Sequence, residues 1–104
     1  MPVYNKLVRD RIPDILEEKG KKFNSRPVKS RQEYLEKLMD KLQEEVHEFL
    51  VEPSAEEVAD IQEVLDALSY AIGSNVAEVN NIKVRKAASR GRFYDGLVLE
   101  SVED

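Results

Sequence analysis

The stretch Ser30–Ile72, SRQEYLEKLMDKLQEEVHEFLVEPSAEEVADIQEVLDALSYAI, decides the fold. Each half opens on a capping box, Ser30-Arg-Gln-Glu33 and Ser54-Ala-Glu-Glu57. In such a box a serine oxygen and a glutamate three residues on satisfy free backbone groups of the first helical turn. Behind the first box, Leu35, Leu38, Met39, Leu42, Val46, Phe49 and Leu50 recur at the period of one buried helix face. Behind the second, Val58, Ile61, Leu65, Leu68 and Ile72 do the same. The spacing predicts helices over 31–51 and 55–72, broken by Val51-Glu52-Pro53-Ser54. A connection this short folds the pair back as an antiparallel hairpin.

Outward from this hairpin, a shorter helix is expected over 11–19. Pro13 suits its early turn, Ile12, Ile15 and Leu16 form its apolar side, and Gly20 stops it. Residues 1–10 read as an extended lead with Tyr4, Leu7 and Val8 as docking contacts, and Lys21–Lys29 as a polar loop around Pro27. After Gly73, Ser74 is placed to cap a fourth helix over 75–89, which Gly91 ends from the C′ position. Phe93–Glu100 reads as a short extended tail in which Leu97 and Leu99 alternate with polar neighbours. The expected fold is all-α: one domain of about four helices with a short extended C-terminal tail, its bundle completed by dimerisation. With 104 residues the chain is long enough for one modest core and too short for two.

Composition narrows the function. Sixteen basic and 21 acidic residues leave a net charge of −5, which excludes a general nucleic-acid binder. The absence of cysteine excludes disulfides and thiolate metal sites, and agrees with a reducing compartment. No run approaches the ~18 apolar residues of a membrane span, and no signal-peptide core is evident, so a cytoplasmic protein is expected.

Two acidic pairs at helical spacing, Glu45/Glu48 and Glu57/Asp60, stand apart from this background. Residues three apart share one side of a helix. Glu45 and Glu57 also fall within the apolar stripes, where an ionised carboxylate is costly unless compensated. Antiparallel packing brings the four acids together, and converging carboxylates call for a hard divalent cation, Mg²⁺ or its substitute Mn²⁺. At about 100° per residue, Glu44 points away from the stripe and reads as an outer or solvated acid. His47, the one histidine, falls on the polar side, so histidine-based zinc motifs are absent.

For a phosphorylated substrate, cations should lie near the ion. Lys83, Lys86 and Arg90 share a face of the fourth helix, and Arg92 follows its terminating glycine. The lead adds Lys6, Arg9 and Arg11. Lys86 and Arg90 also favour the dipole at their helix C-terminus, which gives them a purely structural explanation.

Three segments together resemble a known family. Tyr4-Asn-Lys-Leu-Val-Arg-Asp-Arg-Ile-Pro13 is similar to the N-terminal signature of small stand-alone MazG-like nucleoside triphosphate pyrophosphohydrolases. These belong to the all-α superfamily that includes phosphoribosyl-ATP pyrophosphohydrolase. Glu44-Glu45-x-x-Glu48 followed by Glu57-x-x-Asp60 resembles the paired acidic motif, and Lys86-Ala-Ala-Ser-Arg90-Gly91-Arg-Phe93 the C-terminal basic element. The connection between Glu48 and Glu57 is short for the family, and Arg92 stands where a second glycine is frequent.

The resemblance implies Mg²⁺-dependent cleavage of a nucleoside triphosphate to monophosphate and pyrophosphate, in a house-cleaning role. It places the metal on Glu45, Glu48, Glu57 and Asp60, with Glu44 subsidiary; like-charge crowding separately suits Glu45 or Glu48 to accept a water's proton. Phosphate contacts would come from Lys86, Arg90 and Lys83, with Lys6, Arg9 and Arg92 as further candidates. It also implies a homodimer or higher oligomer, while net charge and the lack of an apolar span lead us to expect no nucleic-acid polymer or membrane as partner. Two alternatives share the fold: activity on phosphoribosyl-ATP, and a catalytically silent helical interaction module. A coiled-coil scaffold fits poorly, because the stripes break at Gly20, Pro53, Gly73 and Gly91.

Overall fold

A computed structural model describes residues 4–103; residues 1–3 of the expected lead lie outside the described part. Four helices follow in order: α1 (Ile12–Glu18), α2 (Arg31–Val51), α3 (Ala55–Ala71) and α4 (Val76–Arg90). No strand occurs among the described residues, so the fold is all-α as the sequence predicts.

Local chemistry sets the boundaries. Ser30 Oγ accepts the Glu33 N–H at 3.0 Å, and Ser54 Oγ accepts the Glu57 N–H at 3.2 Å, so both predicted caps form. At the end of α3, Gly73 N–H donates to Tyr70 O and Ser74 N–H to Ser69 O, the paired bonds of a Schellman turn. Gly73 sits at φ +88°, and an added Cβ would come within 3.2 Å of Arg31 Nη2. This tight corner corrects the start of α4. The cap is Asn75, whose Oδ1 accepts the Glu78 N–H at 2.8 Å, and not Ser74. The Ser74 backbone already serves the turn that ends α3, and its Oγ is buried without a partner.

α2 and α3 pack as the expected antiparallel hairpin and carry nearly all helix–helix contact; α4 touches α3 sparingly and α1 touches no other helix. Leu38, Val64 and Ala71 are buried, with Leu7, Tyr34, Leu35, Leu42, Ala67 and Leu68 packed around them. Of the rest of the predicted stripes, only Phe49 and Ile61 are half-buried within one chain. Met39, Val46, Leu50, Val58, Leu65 and Ile72 are exposed, Leu50 at 70%. The tail is barer still, with Phe93 97% and Leu97 88% exposed.

The outline agrees with this. The molecule measures 61 × 31 × 24 Å with a radius of gyration of 18.3 Å. A compact chain of this length has a radius near 13 Å. No described helix is long and apolar enough to cross a membrane.

Candidate metal centre

The hairpin sets the end of α2 beside the start of α3, where Glu45 of the first acidic pair meets both members of the second; Glu48 groups only with acids of its own helix. Glu45, Glu57 and Asp60 each present a carboxylate oxygen within 4.8 Å of the other two. Glu44, Glu45 and Glu48 form a second such group, so Glu45 belongs to both. Its position on the apolar side of α2 buries it to 7% exposure, the deepest charged residue described. Glu57 and Asp60 are half-buried and Glu48 is exposed.

The two capping boxes show why Glu57 differs from an ordinary cap residue. At the first box, the Glu33 carboxylate accepts the Lys29 N–H at 2.8 Å and two bonds from Arg26. At the second, Glu57 gives its backbone N–H to Ser54, yet its Oε2 is buried with no hydrogen-bond partner. The carboxylate faces Glu45 and Asp60 instead. Glu45 Oε2 is likewise buried and unpartnered. Two orphaned carboxylate oxygens on facing helices are expensive unless a cation meets them.

Electrostatics follow the same division. Burial first, and then the neighbouring Glu48, push the Glu45 carboxyl above its ordinary value, with Asp60 adding to the rise. Glu44 moves the other way, held down chiefly by its hydrogen bond from Lys6. Lys6 Nζ lies 3.1 Å from Glu44 Oε1, and Arg9 Nη2 lies 2.8 Å from Asp60 Oδ1. Lys41 Nζ stands 3.6 Å from both Glu44 and Glu45.

Glu44 is therefore drawn into the group, although its helical phase points it outward; a long side chain and two cations bend it back. Lys41 escaped the sequence reading, although its position one turn before Glu45 carried the signal. The residues present fit a hard cation. Every converging donor is a carboxylate oxygen, cysteine is absent, and His47 is exposed and belongs to neither group.

The predicted phosphate-binding residues divide. Lys6 and Arg9 are at the acids. Lys83, Lys86, Arg90 and Arg92 are exposed, and among the described residues no ion pair joins them to the acidic group. Ile82, Arg85, Lys86, Ser89 and Arg90 line their own shallow depression of about 290 Å³ on α4. No protein-family model, curated protein or solved structure matches this chain.

Proposed function

We propose that this chain is a Mg²⁺-dependent hydrolase of nucleoside triphosphates, releasing monophosphate and pyrophosphate. One observation carries the reading: Glu45 and Glu57 bury unpartnered carboxylate oxygens in the group they form with Asp60. Such a group is stable when a divalent ion compensates it. The nucleotide substrate rests on the MazG-like resemblance of the three segments.

In this reading Glu45, Glu57 and Asp60 hold the ion from two helices, with Glu48 and Glu44 at the outer side. When bound, the ion supplies charge neutralisation and Lewis-acid polarisation of phosphate oxygens. Glu45 or Glu48 would take a proton from the attacking water. Lys41 at the rim opposes the charge of an incoming phosphate chain.

A second copy completes the molecule in this proposal. The chain exposes 9448 Å², whereas a compact chain of this size exposes about 5,900 Å². The excess is larger than the roughly 800 Å² per partner of a standard interface. Pairing through Leu50, Val58 and Leu65 would cover the bare stripes and bring the α4 cations of one copy toward the acids of the other.

The test is pyrophosphate release from a panel of ordinary and modified nucleoside triphosphates and phosphoribosyl-ATP, with and without Mg²⁺. Turnover of triphosphates with Mg²⁺ supports the proposal. Turnover of phosphoribosyl-ATP alone moves the activity to that substrate. Absence of any turnover, together with no Mg²⁺ effect on melting, leaves an interaction module of the same fold.

A further inference from the structure

The segment Tyr4–Arg9 lies against the hairpin as a strap, and its cations end on the acidic group. Leu7 packs on the core, Lys37 Nζ donates to Asn5 O at 2.6 Å, and Asn5 bends the chain at φ +49°. Between and beyond these anchors, Lys6 reaches Glu44 and Arg9 reaches Asp60. Their partners lie 38 and 51 residues away in sequence, so both pairs exist only through the tertiary fold. Neither pair is deep: the Lys6 and Arg9 side chains are 43% and 61% exposed. Exposed pairs of this kind are weak and readily exchanged.

We propose that Tyr4–Arg9 is a displaceable counter-ion strap, whose Lys6 and Arg9 give up Glu44 and Asp60 when a divalent cation binds. This rests on the metal reading of the acidic group. The physical basis is competition for carboxylate charge. Asp60 belongs to the group that includes the buried Glu45 and Glu57, and a guanidinium 2.8 Å from its Oδ1 reduces the negative charge it offers an ion. Glu44 is shared in the same way between Lys6 and the second acidic group. Two monovalent side chains on a non-helical lead cannot match the charge density of one divalent ion among three carboxylates. Loss of both pairs leaves the strap held by Leu7 and the Asn5–Lys37 bond alone. The freed Lys6 and Arg9 then stand at the mouth of the site, available to an anionic ligand.

The chain has no cysteine, so Val8→Cys carries a single nitroxide on the strap at an exposed position. Its spectrum is recorded with saturating MgCl₂ and with NaCl at equal ionic strength. Calorimetry measures Mg²⁺ binding to the unlabelled chain and to Lys6→Ala/Arg9→Ala. The strap proposal expects a more mobile nitroxide with Mg²⁺ only, and Mg²⁺ binding about ten-fold tighter in the double variant. An unchanged spectrum while calorimetry shows saturation overturns the strap, as does equal or weaker binding by the double variant. Absence of Mg²⁺ binding by the unaltered chain instead overturns the metal reading, and the strap falls with it.

Discussion

Glu45 on α2 and Glu57 on α3 present carboxylate oxygens within 4.8 Å of one another, and each keeps an Oε2 buried without a hydrogen-bond partner. A structural ion pair or a cap would have satisfied those oxygens. Here the fold holds like charges together, so a cation bound between them is expected to stabilise the hairpin.

Glu45→Gln removes one of the opposed charges while keeping side-chain shape. In EDTA this variant should melt several degrees higher than the unaltered chain, from relief of about 1 kcal/mol of repulsion and desolvation. With Mg²⁺ the order should reverse, because only the unaltered chain gains binding energy. Asp60→Asn should behave likewise and lose turnover. Calorimetric melts with and without Mg²⁺ check both, and full activity in either variant counts against the site.

The pH dependence has two opposed parts. Glu45 has its folded pKa raised, so the folded state binds more protons than the unfolded state above pH 4.5. Its contribution to metal-free stability therefore falls as pH rises from 4.5 through the raised value. Glu33 is held down to about 2, first by Arg26 and then by the Lys29 N–H. Its contribution is present above pH 4.5 and is lost as pH falls toward 2. Urea titrations across this range in EDTA should show Glu45→Gln flattening the first slope and Glu33→Gln the second.

Much of this architecture is legible in the residues, because the hairpin is specified locally. The two Ser-x-x-Glu boxes, Pro53 and Gly73 fix both ends of α2 and α3, and a 3.6-residue period then places Glu45 and Glu57 on facing sides. The misplacement of the α4 cap by one residue has a local cause as well. Ser74 and Asn75 offer similar capping chemistry, and only the Schellman bond from Ser74 N–H to Ser69 O commits the former to the preceding helix.

Other features have no local signature. Nothing in the spacing pairs Lys6 with Glu44 or Arg9 with Asp60, since those contacts come from the strap's path over the hairpin. Periodicity also assigns Leu50 and Leu65 to a core without saying whose core it is. In a single chain both remain exposed.

The cap reassignment is itself testable. Asn75→Ala should cost about 1 kcal/mol of stability, whereas Ser74→Ala should be neutral or slightly stabilising because it removes a buried unpartnered hydroxyl. Ser54→Ala should cost a similar amount to Asn75→Ala and also weaken Mg²⁺ binding, since it loosens the turn that carries Glu57. Chemical denaturation with parallel Mg²⁺ calorimetry separates the three.

The bare stripes and the stranded cations of α4 make one joint prediction. Leu65→Glu, at a position already 44% exposed within one chain, should leave helicity intact while shifting sedimentation from dimer to monomer. If acids and α4 cations of one site come from different copies, Asp60→Asn and Lys86→Ala should each be inactive alone and complement when mixed. A random mixture makes half the dimers mixed, and each mixed dimer rebuilds one unaltered site of its two, so about a quarter of the original turnover should return. If all site residues come from one chain, no activity should return at any mixing ratio. Measuring pyrophosphate release after co-refolding the two variants decides between these arrangements.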